Sequence, residues 1–204
     1  MSSSRTEAPL TLVVLISGEG TNLQAIIDEI AAGRLPARIA AVISNRPGVP
    51  GLERARRAGL PALALDHRGF ADRTVFDRQL ATTIDRYHPD LVVLAGYMRI
   101  LTAEIVRRYA GRMINLHPSL LPKYPGLDTH ARALAAGEKE HGASVHFVTE
   151  DLDSGPVIVQ ESLPVEPGDT PETLRLKVQQ IEHRLLPTAI RALAERHSIE
   201  VERP

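Results

Sequence analysis

Residues 12–16 (Leu-Val-Val-Leu-Ile), 39–43 (Ile-Ala-Ala-Val-Ile) and 91–95 (Leu-Val-Val-Leu-Ala) are apolar runs with no polar residue between. A strand with one wet face alternates apolar and polar residues. Unbroken runs belong to strands buried on both faces, as in a parallel sheet covered by helices. Helical patterns follow each run: 23–28, 51–58, 72–87 with Val75, Leu80, Ile84 and Tyr87 inward, and 102–109 with Thr102 as N-cap and Glu104 in the first turn. Residues 62–65 read as a short strand. Strands alternating with helices predict an α/β fold with a doubly wound, mostly parallel sheet.

The pattern changes after Gly126. Residues 129–136 read as a helix. Residues 143–148 and 156–161 read as strands joined by a turn-rich segment, so antiparallel strands are expected in the C-terminal part. A long helix is expected from Thr170 to about Arg196, with Thr170 as N-cap, Pro171 at its first position and Glu172 in the first turn. Pro187 is expected to kink or break it. Residues 1–10 are Ser-rich and expected to fray, and residues 112–114 read as a short buried strand.

Composition narrows the function. The net charge is −1 and aromatic residues make up 3% of the 204, with no Trp. That argues against nucleic-acid and membrane partners. The absence of Cys removes disulfides, thiolate metal sites and a Cys nucleophile. The N-terminus has no apolar core of a signal peptide, and no apolar run approaches the roughly 20 residues that span a bilayer. The expected setting is cytoplasmic, with small-molecule substrates, as a monomer or homodimer. The histidines at 67, 88, 130, 141, 146, 183 and 197 show no metal-ligand spacing, so no metal is expected. His146 falls in a predicted strand and reads as a core histidine, with support of the site as the second reading.

In doubly wound sheets ligands sit beyond the carboxyl ends of the strands. Residues 18–22 (Gly-Glu-Gly-Thr-Asn) follow the first strand and open a helix, which makes an anion site with free N–H groups and a positive dipole end. Thr21 or Asn22 is expected to cap that helix or add a donor. A dinucleotide site would need a third glycine at position 23, which is Leu, and an acidic residue after the second strand, where Ser44-Asn45-Arg46 stands. A monophosphate fits better. Residues 96–101 form a second strand end, an apolar loop carrying one Arg.

The third is residues 115–126, Asn-Leu-His-Pro-Ser-Leu-Leu-Pro-Lys-Tyr-Pro-Gly. Asn115 and His117 stand two apart, so an extended chain points both to one face. Pro118, Pro122 and Pro125 stiffen the exit. An amide donor beside an imidazole suits an oxyanion that must be stabilised while a proton moves.

Residues 15–24, 95–101, 115–126 and 152–156 together, in this order, resemble the phosphoribosylglycinamide formyltransferase (glycinamide ribonucleotide transformylase) family, over about residues 11 to 190. Departures are Glu19, Thr21 and a longer N-terminus; Glu19 beside a phosphate must point away. The resemblance implies a Rossmann-like, formyltransferase-type fold. It makes residues 1–204 one formyltransferase domain, with 11–110 as the nucleotide-phosphate-binding half and 111–204 as the catalytic and folate-binding half. The implied reaction moves the formyl group of 10-formyltetrahydrofolate to the glycine amine of the ribonucleotide, in purine biosynthesis, with the folate as cosubstrate and no metal.

The resemblance assigns Asn115, His117 and Asp153 to catalysis. A carboxylate near His117 favours the charged imidazole and can hold a water that relays the proton. Gly20, Thr21 and Asn22 are to hold the ribonucleotide phosphate, and Glu182 its polar end. Arg73, Met98, Arg99, Ile100, Leu101, Asn115, Glu150, Asp151 and Asp153 are to bind the folate. The neighbouring readings, a methionyl-tRNA formyltransferase and a formyltetrahydrofolate deformylase, call for an extra C-terminal domain with a basic surface and an extra N-terminal domain respectively. A non-catalytic phosphate-binding module would keep residues 18–22 and have no use for the trio.

Overall fold

The computed structural model describes residues 9–201. The Ser-rich first eight residues lie outside the described residues. Strands β1 (Leu10–Ile16), β2 (Ala37–Ser44), β3 (Ala62–Ala64), β4 (Leu91–Leu94), β5 (Met113–His117), β6 (Glu140–Phe147) and β7 (Val157–Pro164) form one seven-stranded sheet in the order β3-β2-β1-β4-β5-β6-β7. The pairs from β3 through β5 are parallel. The pairs β5–β6 and β6–β7 are antiparallel. This is the mostly parallel sheet with antiparallel C-terminal strands that the alternation predicts.

The unbroken apolar strands are buried on both faces because helices cover each side. Leu12, Val14 and Ile16 of β1 pack with residues of α1 (Thr21–Ala31), α2 (Pro50–Arg57) and α6 (Pro171–Val201). Val13 and Leu15 point the other way, toward α3 (Arg73–Asp85) and α4 (Ala103–Arg108). The period-2 alternation of a strand thus feeds two cores from one run. The remaining helix, α5 (Thr129–Ala135), sits just after the proline-rich exit from β5. Among the described residues no helix is long and apolar enough to cross a membrane.

Two local expectations change, the inward residue of α3 and the cap of α1. Val75 is 44% exposed, and Phe76 is buried in its place. Phe76, Leu80 and Ile84 stand four apart and form one stripe of α3, which puts Val75 about 100° around the helix. The N-cap of α1 is Gly20, in the left-handed conformation with φ 70°, and neither Thr21 nor Asn22 caps it. Thr102 occupies the N-cap of α4, but its hydroxyl makes no cap bond. Pro187 lies inside α6, and the helix runs on through it. Thr170 does cap that helix, its Oγ1 accepting the Thr173 N–H at 3.2 Å. The Leu121–Pro122 peptide is cis.

Candidate active site

The strand order reverses between β1 and β4, and at such a switch the connections leave toward opposite faces and open a crevice. The ends of β1 and β4 remain tied there, the Ser17 N–H donating to Gly96 O at 3.1 Å. β5 is the next strand over and delivers Asn115 and His117 to the same edge.

Asp153 reaches them from the loop between β6 and β7. Asn115 Nδ2 donates to Asp153 Oδ1 at 3.4 Å. His117 Nδ1 is 3.3 Å from Asp153 Oδ2. The Gly126 N–H donates to the same oxygen at 2.8 Å, so the end of the proline-rich segment also holds the carboxylate. Asp153 adopts φ 50°, in the left-handed region. Burial opposes its charge, but the facing His146, the Gly126 N–H and the nearby His117 more than offset that and hold its carboxyl below the usual range.

Both nitrogens of His117 are engaged. Nε2 faces Tyr124 O at 2.9 Å while Nδ1 faces the carboxylate. The stiff segment therefore does more than exit the strand, since it folds back to present a carbonyl to the ring.

The trio borders a cleft of ≈ 720 Å³ with a mainly apolar lining. Met98, Arg99, Ile100, Leu101, Asn115, His117, Glu150 and Asp153 all line it. Arg73 and Asp151 do not. Arg73 is exposed at the start of α3, one turn before Phe76, over whose ring the Arg99 guanidinium lies at 4.8 Å. Glu150 is paired with Arg107 at 3.0 Å.

The glycine turn lies at the adjoining strand end. A Cβ on Gly20 would meet Gly51 Cα at 2.6 Å, so two backbones touch there without side chains between. Glu19 is exposed, and its carbonyl accepts from Arg54 Nε at 2.8 Å. The α6 helix flanks the turn. Gln179 Nε2 donates to Thr21 Oγ1 at 3.1 Å, and Asn22 Nδ2 to Glu182 Oε2 at 3.0 Å. Burial pushes the Glu182 carboxyl above the usual range, partly offset by Asn22, Arg175 and His117.

Sequence reasoning ranked His146 as core, yet it joins the constellation. Its Nε2 is 3.3 Å from Asn115 Nδ2 and 3.6 Å from Asp153 Oδ1, while Nδ1 bonds Phe147 O at 2.9 Å. His146 is the register partner of Asn115 across β5 and β6, a fact that only the pairing supplies. The Tyr124 carbonyl had no side-chain signal at all.

The fold and this site define a Rossmann-like group-transfer enzyme, and residues 10–190 match the formyl transferase family, to which the chain belongs. It is 51% identical over 186 residues to the phosphoribosylglycinamide formyltransferase of Escherichia coli (strain K12), covering 91% of this chain and 88% of that protein. It is 48% identical over 184 residues to the trifunctional purine biosynthetic protein adenosine-3 of Drosophila melanogaster, covering 89% of this chain and 14% of that longer protein. Among solved structures, a phosphoribosylglycinamide formyltransferase from Coxiella burnetii in complex with CHES superposes with a TM-score of 0.88 at 56% identity, covering 92% of this chain and 88% of that one. A glycinamide ribonucleotide transformylase 1 from Symbiobacterium toebii gives 0.90 at 49% identity, with 92% and 89% covered.

Proposed function

We propose that the chain transfers the formyl group of 10-formyltetrahydrofolate to the glycine amine of 5-phosphoribosylglycinamide, giving N-formylglycinamide ribonucleotide and tetrahydrofolate in de novo purine biosynthesis. Relatives named for this activity support the reading along most of the chain. The observation within the molecule that carries it is the meeting of Asn115, His117 and Asp153 on one wall of the apolar cleft.

The amine attacks the formyl carbon. A C–N bond forms, the carbonyl becomes an oxyanion, and the bond to the folate nitrogen then breaks as a proton passes from the attacking nitrogen to the departing one. Asn115 Nδ2 holds its present partners at 3.3 and 3.4 Å, longer than a good N–H···O bond, and so can turn to the oxyanion. His117 Nε2 is held by a neutral carbonyl. An oxyanion is a stronger acceptor than a neutral carbonyl and displaces it. Asp153 orients the ring, and can hold the water that carries the proton.

Gly20, Thr21 and Asn22 bind the ribonucleotide phosphate, through the free N–H groups of the first turn of α1. Glu182 binds that substrate's polar end. The folate lies in the cleft against Met98, Arg99, Ile100, Leu101 and Glu150. The proposal requires no metal, nucleic acid or membrane.

Mixing protein, ribonucleotide and formyl-folate and following released tetrahydrofolate tests the reading. Release that depends on the ribonucleotide is expected. Release in water alone would make the protein a deformylase, and no release would leave a phosphate-binding module.

A further inference from the structure

Ser17 stands where β1 ends and the glycine turn begins, and it reaches across to the cleft. Its backbone N–H donates to Gly96 O at 3.1 Å. Its Oγ accepts the Met98 N–H at 2.8 Å and donates to Asn45 Oδ1 at 2.5 Å. Ser17 and Asn45 are 3% and 1% exposed, so the bond between them is buried, and the bond to Met98 is partly so. Further along the same loop, Asp77 Oδ2 accepts the Thr102 N–H at 2.6 Å. Side chains from outside the loop thus pin it at Met98 and at Thr102. Between those anchors, Arg99, Ile100 and Leu101 line the cleft, and Met98 and Ile100 themselves are 62% and 55% exposed. Leu101 packs partly on the core and Arg99 lies over the Phe76 ring, while exposed Met98 and Ile100 depend on the anchors beside them.

We infer that Ser17 is a positioning residue, one buried hydroxyl that registers the folate-side loop against the phosphate turn. The inference rests on the formyl-transfer reading and extends it to a residue outside the reacting trio. The loop that Ser17 anchors supplies folate-side lining of the cleft, so loosening it removes contacts made equally in the ground and transition states and weakens donor binding. The hydroxyl must accept from Met98 and donate to Asn45 at once. Alanine does neither and leaves the Met98 N–H and the buried Asn45 amide oxygen without these partners.

The test compares Ser17→Ala with Ser44→Ala. Ser44 is buried at the end of the adjoining strand, and its hydroxyl bonds Arg46, away from the loop. Ser17→Ala is expected to raise KM for the formyl donor at least about tenfold, with kcat and the ribonucleotide KM within about threefold, the pattern of lost uniform binding. The Met98 amide should exchange with solvent at least about tenfold faster than in the wild type, since its buried acceptor is gone. Ser44→Ala should lower the melting temperature and change neither readout. In the wild type, the Met98 and Thr102 amides should exchange more slowly than that of Ile100, a measurement that survives if Ser17→Ala does not fold. Donor KM and exchange at wild-type levels, the same change in Ser44→Ala, a rise confined to the ribonucleotide KM, or equal exchange along the wild-type loop would each overturn the assignment. Exchange needs no turnover, so an inactive wild type counts against formyl transfer while exchange still decides the anchoring.

Discussion

His117 Nδ1 lies 3.3 Å from Asp153 Oδ2, and the other nitrogen of the same ring faces the Tyr124 carbonyl at 2.9 Å. The ring is held between a carboxylate from one loop and a carbonyl from another. Its aim is set by two segments far apart in the chain.

Asp153→Asn is expected to cut turnover at least about 100-fold, the range of general acid–base help. Asn tolerates the left-handed conformation that Asp153 adopts, so backbone strain does not confuse the result. Steady-state kinetics with a melting curve checks both halves. Normal turnover in a folded variant removes the carboxylate from the mechanism.

Asn115→Ala and His117→Ala are each expected to lower kcat by about 10²- to 10³-fold, the usual cost of one oxyanion donor. Both should leave the fold intact, because each side chain lines the cleft rather than packing in the apolar core. An effect confined to KM would recast either residue as a binding group. The double variant should lose much less than the product of the single losses if the two act on one oxyanion.

Stability should fall as pH drops from about 6.5 to about 4. His130 Nδ1 lies 3.1 Å from His141 Nε2. Burial, with the His141, Arg175 and His117 charges behind it and Glu172 opposing, holds His130 down to about 4 from 6.5. The folded value lies below the unfolded one, so the unfolded chain takes the proton first. The contribution is full above about 6.5 and lost as pH falls through the folded value. Asp153 is also depressed, but its contribution goes only as pH falls from its ordinary 3.8 through its lower folded value. Melting temperatures measured across the window should slope for the wild type and slope less for His130→Gln, a residual slope remaining because burial also holds His141 and His183 down. Coincident slopes would show that His130 does not set them.

Gly20→Ala should destabilise the protein by at least about 2 kcal/mol, from left-handed strain and from contact with a neighbouring backbone. The new Cβ would stand 2.6 Å from Gly51 Cα, which has no flexible end to move. Chemical denaturation measures the loss. A variant as stable as the wild type would mean that the two backbones can separate freely.

The alternation of β and α elements was legible because a strand buried on both faces must be apolar throughout, as residues 12–16 and 91–95 are. The pairing of Asn115 with His117 was legible for a similar local reason, the two-residue period of an extended chain. Reading an inward face was harder where two apolar residues adjoin. Val75 and Phe76 are both good candidates, and only the packing of α3 chose the second. The cap of α1 escaped because Gly20 acts through its backbone conformation and its closeness to Gly51, neither of which a residue type records.

The chain by itself determined the kind of fold and the residue types available for chemistry, because periodicity and side-chain type are local properties. The tertiary structure alone decided which groups meet. It set Asn115 opposite His146 by strand register, brought Asp153 to His117 from the β6–β7 loop, and turned Tyr124 back on the ring. Such contacts join segments distant in sequence, and hydrogen bonds a few ångströms long form only once the whole sheet has fixed where those segments lie.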